Sequence, residues 1–159
     1  MLIPIDHGNR NMKTLHHVFT SGLIENPHMV VAGNDALEFE GKTYALSNER
    51  LLYHRDKTVN VDYFILTLFA IGKEFDTAKK QGVDIYTDGY PHDIELAVGL
   101  PPAHYQSLCQ KFKEYLLRPE VIDFTYNDCT YTIEINEVQC FPQAFAAAMT
   151  RYNDEMGKR

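Results

Sequence analysis

Cysteine is scarce in this chain: only Cys109, Cys129 and Cys140 occur, with no C-x-x-C pair and one left over from any pairing. A disulfide framework is therefore not expected, and a reducing cytoplasm is the compartment that fits. Clustered basic charge is also missing. Lys and Arg number 15 against 22 Asp and Glu, a formal net charge of -7, which argues against a nucleic-acid backbone as the direct partner. The start Met1-Leu2-Ile3-Pro4-Ile5-Asp6 has no basic n-region, so it is not a usual secretory signal. The longest apolar stretch, Tyr63 to Gly72, is interrupted by Thr67 and falls far short of the ~20 residues a membrane span needs. Neither a Walker A nor a G-x-G-x-x-G pattern is present, and there is no internal repeat or low-complexity segment.

What remains is ordinary globular material. The 159 residues are 45% hydrophobic and 23% charged, enough for one compact domain over 1–159, with a small β-rich sublobe allowed within 20–60. Met1 to Ile5 and Met12 to Phe19 read as two strands around the polar turn Asp6 to Asn11. Leu37, Phe39, Tyr44 and Leu46 alternate across Glu40-Gly41-Lys42-Thr43, a hairpin pattern. Val59 to Phe75 is apolar nearly all round and long enough to be a buried helix, with 76–92 fraying from its end into an exposed loop. Ile94, Leu96 and Val98 read as a buried strand running into Gly99-Leu100-Pro101-Pro102. Tyr105, Leu108, Cys109, Phe112, Tyr115 and Leu116 then form a helical stripe that places Cys109 in the core. A second hairpin joins 121–126 to 129–135 through Asn127-Asp128, 138–141 reads as a further strand, and Pro142 opens a helix over 143–156. The charged tail 151–159 reads as a solvated helix end, with Gly157 as its cap. Strands and helices mix as in an α/β domain.

The segment with chemical content is Asp6-His7-Gly8-Asn9-Arg10-Asn11-Met12-Lys13, a D-x-G-x-x-x-x-K pattern between two strands. One reading is a phosphate-binding turn, in which backbone amides form a nest for anionic oxygens and Gly8 permits a close or φ-positive backbone. Lys13 would then set its ammonium beside the phosphates, and Asp6 would hold the hydration shell of Mg²⁺. The other reading is a plain hairpin turn, since Asp and Gly populate turns for local reasons. His16 and His17, near His7, do not suggest a metal site, because adjacent strand residues face opposite ways.

In context the chain resembles the bacterial actin-like ATPases, particularly those of the plasmid-segregation ParM type. Ile3-Pro4-Ile5-Asp6-His7-Gly8-Asn9 with Lys13-Thr14 is similar to that family's first phosphate loop. Asn48-Glu49-Arg50 and Arg55-Asp56-Lys57-Thr58, Leu96 to Tyr105, and Val138 to Ala144 resemble its later landmarks, in the same order. The resemblance implies an α/β fold of actin-like, ribonuclease H-like topology, with a mixed sheet, flanking helices and β-hairpins. It also implies that ATP and Mg²⁺ lie between two halves, of which this chain is the N-terminal one.

Carried over residue by residue, Asp6 matches the metal-associated carboxylate, acting on magnesium through water. Gly8, Asn9, Arg10 and Asn11 match the phosphate-contacting loop, where Arg10 is bulkier than the usual small residues, and Lys13 matches the phosphate-binding lysine. Gln143 matches the residue that orients the attacking water, although by itself it reads equally as a polar residue in a helix first turn. The family's second phosphate loop and adenosine-binding segments would follow position 159. The expectation is therefore very weak nucleotide binding by this chain, and ATPase activity only when a C-terminal half completes the site. The implied partners are other subunits in a filament and a DNA-bound adaptor protein, with no membrane contact. The alternative is a non-enzymatic interaction module that keeps the actin-like half-fold.

Overall fold

The computed structural model describes residues 1–27, 35–87 and 89–143. Among the described residues nine strands and two helices follow one another: β1 (Leu2–His7), β2 (Asn11–Lys13), β3 (Val18–Thr20), β4 (Leu23–Glu25), β5 (Ala36–Phe39), β6 (Lys42–Leu46), α1 (Asp62–Lys80), β7 (His92–Leu100), α2 (Pro102–Leu116), β8 (Ile122–Tyr126) and β9 (Cys129–Pro142). All nine strands belong to one sheet of order β3-β2-β1-β7-β9-β8-β5-β6-β4. β7 pairs in parallel with both β1 and β9, and the other pairings are antiparallel. The fold is thus mixed α/β.

The strand order contains a geometric constraint. β3 and β4 lie at opposite ends of the sheet, yet only Ser21 and Gly22 separate them in sequence. A flat nine-stranded sheet is roughly 38 Å wide at ~4.8 Å per strand, whereas three Cα steps reach at most about 11 Å. The sheet must curl until its ends meet. Ser47 and Leu51 seal the seam by donating their backbone N–H groups to the carbonyls of Gly22 (2.9 Å) and Ser21 (2.9 Å).

α1 fills the curl. Of its 19 residues 13 are buried, including every one from Tyr63 to Gly72, so its first half has no exposed face, which matches the nearly continuous apolar sequence there. Phe64 packs on Phe39 of β5, Phe69 on Tyr126 of β8, and Phe75 on both His92 of β7 and Tyr131 of β9. Tyr115 of α2 caps the helix start, accepting from the Phe64 amide (2.8 Å) and donating to the Asn60 carbonyl (2.7 Å). Buried Glu74 fastens the segment between β2 and β3, accepting from Thr14 Oγ1 at 2.5 Å and from the His16 amide at 3.1 Å.

Four sequence expectations change. The continuous strand over 12–19 is broken at 14–17, where His16 reaches Glu74 (2.8 Å) and His17 reaches Thr77 (2.7 Å). The two imidazoles therefore share a helix as partner and do not face opposite ways along a strand. α1 does not fray at Phe75 but runs to Lys80, because Ala78 still finds the core. The separate strands over 129–135 and 138–141 are a single β9, with one residue more on β9 than on β7 between the pairs Ile94↔Ile135 and Glu95↔Glu137. That bulge shifts the phase of burial from Ile133 and Ile135 to Val138 and Cys140, which in sequence looks like a break. Both hairpins hold, on Glu40-Gly41 and Asn127-Asp128, each with two positive φ angles suited to a type I′ turn. The helix expected after Pro142 lies outside the described residues beyond Gln143.

His7 ends β1 inside the core, fully buried between α1 and the Phe112 ring of α2 (5.0 Å). Thr67 Oγ1 donates to the Tyr63 carbonyl (2.7 Å), so His7 Nε2 carries the proton and donates to Thr67 (2.8 Å), while Nδ1 has no partner. Burial, helped by the Lys57 charge, outweighs the Ile5 carbonyl and pushes the imidazole pKa down to about 3. The unfolded chain binds this proton below about pH 6.5 and the folded chain does not, so stability falls as pH drops from about 6.5 to about 3, by roughly 1.4 kcal/mol per pH unit. Urea melts at pH 7 and pH 5 are expected to show that loss shrinking by roughly 2 kcal/mol in His7→Gln. The seam gives a second expectation. A Cβ on Gly22 would sit 2.1 Å from the Glu49 carbonyl oxygen, so Gly22→Ala should cost about 3 kcal/mol in the same assay. Gly41→Ala has open space and meets only the positive φ, and should cost about 1 kcal/mol.

Candidate functional site

The three parallel strands end side by side, at His7, Leu100 and Pro142. In α/β sheets the carboxyl ends of parallel strands are where ligands bind, because the chain diverges there and leaves a crevice. Asp6 of β1 stands opposite Gly99 of β7, which stands opposite Phe141 of β9. Gly99 interposes no side chain. Across it Gln143, 137 positions from Asp6 in sequence, donates its side-chain amide to the Asp6 carboxylate at 3.0 Å.

The hairpin from β1 to β2 closes over Gly8, Asn9 and Arg10 and sets Asp6 directly opposite Lys13. Gly8 is required by proximity: a Cβ there would lie 2.4 Å from the Asn11 carbonyl oxygen. The loop is braced from behind. Ser21 Oγ donates to the Gly8 carbonyl (2.7 Å), the Ser21 amide donates to the Arg10 carbonyl (3.0 Å), and the Tyr63 hydroxyl approaches Gly8 O at 3.5 Å. With the Gly8 carbonyl turned inward, the Asn9 N–H of the same trans peptide points the opposite way. Arg10 is exposed, so its bulk lies outside the turn. Asn11 sits in β2 opposite Thr20, and Lys13 is exposed beside Asp6.

A further residue completes the cluster. Lys57 is buried to 3 % exposure and donates its ammonium to Asn9 Oδ1 at 3.0 Å, 5.3 Å from the Tyr63 ring centre. Its segment is tied to α2: Asp56 pairs with Lys111 at 2.5 Å, and Arg55 donates to Ser107 at 3.3 Å. Burial alone would raise the Asp56 carboxyl, but the hydrogen bonds from Lys111 and Thr58 bring its pKa down to about 2. In the sequence Arg55-Asp56-Lys57-Thr58 is a landmark of the resemblance in which Lys57 has no evident role, because a lysine among polar residues looks like surface. The only signal is its burial.

The electrostatics of the site are mixed. Burial pushes the Asp6 carboxyl up, against the lowering pull of Lys13, Gln143 and Lys57. Burial likewise pushes the Lys57 ammonium down, against Asp6. The fold therefore gathers one carboxylate, two ammonium groups and two amide side chains at the end of the parallel strands. A single carboxylate does not make an inner metal cage, and among the described residues no group of three His, Cys, Asp or Glu could hold an ion. It does suit a hydrated Mg²⁺, which retains several of its waters.

No curated protein sequence matches the chain significantly. Among solved structures, apo psk41 ParM superposes with a TM-score of 0.67 at 15% identity, over 90% of this chain and 49% of that one. The archaeal actin homologue Ta0583 in complex with ADP gives 0.65 at 15% identity, over 97% and 47%. An AlfA filament bound to AMPPNP gives 0.63 at 15% identity, over 89% and 54%. The chain thus spans about half the length of these structures, and identities this low establish the shared fold. A sequence profile described as "Actin like proteins N terminal domain" matches residues 5–145. With that match covering most of the chain, and with the mixed sheet and the parallel-strand crevice in place, the protein belongs to the actin-like protein N-terminal domain family.

Proposed function

We propose that this chain is the nucleotide-facing N-terminal half of a filament-forming, actin-like ATPase of the plasmid-segregation type. The observation that carries the reading is the Asp6–Gln143 hydrogen bond at 3.0 Å across the ends of β1, β7 and β9. It joins the first loop to the last described residue at the place where an α/β sheet accepts a ligand. The solved relatives support it, since one is an ADP complex and another a filament bound to AMPPNP.

In this reading the Asn9 amide and the Lys13 ammonium receive phosphate oxygens at the hairpin. Asp6 accepts from water on a bound Mg²⁺, and the metal, when present, neutralises phosphate charge. Gln143 already points its amide group at Asp6 and is placed to orient the water that attacks the terminal phosphate. Its contribution is orientation, which is what phosphoryl transfer asks of a protein. Self-association into a filament and attachment to DNA through an adaptor protein belong to the whole assembly. The hairpin supplies one wall of a nucleotide cleft, so phosphates are held from one side.

This predicts a weak but localised interaction. Titrated with Mg²⁺ and ATP, the backbone amides of residues 6–13 should shift in ¹H–¹⁵N spectra and saturate only in the millimolar range. A chain whose loop amides stay fixed at saturating ATP would refute the nucleotide assignment. Calorimetry giving a low-micromolar Kd would instead show that one wall suffices, and would overturn the expectation that a second half is required.

A further inference from the structure

Lys57 is a buried cation that makes no direct ion pair among the described residues. It belongs to none of the ion pairs found among the described residues, and its hydrogen-bond acceptor is the neutral Asn9 Oδ1. Asp6 favours the ammonium by its charge without making an ion-pair contact with it, and the carboxylate adjacent in sequence, Asp56, is paired elsewhere. Asp56 is held by Lys111 and Thr58, and Asp6 accepts from Gln143. Removing an ammonium from water is costly unless an opposite charge compensates it. Holding Asn9 in place requires only a hydrogen-bond donor, which a neutral side chain can be. The charge itself therefore needs an explanation, and the surface it backs is the Gly8–Arg10 turn.

We propose that Lys57 is a positioning residue for the phosphates of a bound nucleotide. Its ammonium orients Asn9 and supplies, from behind the turn, a positive charge that the incoming polyphosphate neutralises. This rests on the nucleotide reading above and adds a residue to it. Lys13 and Arg10 are exposed at the front of the turn, where water screens them. Lys57 acts from the protein side, where a low dielectric lets a charge reach further. Its place is rigid because Asp56 anchors the segment to α2 and Tyr115 of α2 fixes the start of α1 beside it. Lys57 thereby links the helix packing to the phosphate turn.

The test compares wild type with Lys57→Gln, which keeps a donor for Asn9 and removes the charge, and Lys57→Arg, which keeps the charge. Mg²⁺–ATP and inorganic tripolyphosphate are titrated while the amides of Gly8 and Asn9 are followed, with thermal melts alongside. Lys57→Gln should weaken both ligands by roughly tenfold or more without lowering Tm, and Lys57→Arg should restore most of that loss. In the Asn9→Ala background the effect of Lys57→Gln should be smaller, because the two residues act together. If Lys57→Gln lowers Tm but binds both ligands as wild type does, the residue is structural and this proposal fails while the nucleotide reading stands. If wild type itself shows no response to either ligand, both fail.

Discussion

The closure of the sheet around α1 determines almost everything else in this domain. A nine-stranded sheet whose outermost strands are consecutive in sequence has no flat solution, and at Gly22 the seam admits only a backbone without a side chain. The enclosed helix must then be apolar on nearly every side, and the few polar groups it carries need partners from the wall. Glu74, Thr77 and Thr67 find theirs in Thr14, His16, His17 and His7, all in the first twenty residues. The strand that presents Asp6 and the hairpin that follows it are thus held by the most buried element of the molecule.

The site draws on that rigidity and adds charges the core could not tolerate. Asp6 lies one residue before a histidine kept neutral by burial, and burial opposes the charge on Asp6 and on Lys57 alike. Two ammonium groups around one carboxylate leave an excess of positive charge beside a turn whose carbonyls face inward. Such an arrangement is best completed by an anion. The stabilising interactions of the fold and the electrostatic imbalance of the site are therefore separate layers, joined through Ser21, Tyr63 and Lys57.

Much of this architecture was legible in the sequence, and the failures have physical causes. Period-two alternation located β5, β6, β7 and the first half of β9, the Asn127-Asp128 turn located β8 as its partner, and helical spacing located α2. The apolar run at 59–75 revealed α1, which is buried all round from Tyr63 to Gly72. The bulge in β9 hid its continuity, since an extra residue resets the alternation on which strand reading relies. The break at 14–17 hid for a related reason: its polar residues bond to α1, some sixty positions away. In the site, Asp6, Gly8 and Lys13 could be proposed from the D-x-G-x-x-x-x-K pattern, and Gln143 because a resemblance ordered it. Lys57 could not, because burial of a charged residue among polar neighbours has no one-dimensional signature.

The extra residue in β9 also has a bearing on Gln143. Pairing with β7 is in register on both sides of the bulge, so the insertion advances everything downstream by one step of the chain. Each step along a strand is ~3.3 Å and reverses the direction of the side chain. Without it, the end of β9 from which Gln143 departs would arrive a step out of place. A small irregularity seven positions upstream thus acts as a spacer shim, setting the reach of the residue that closes the crevice.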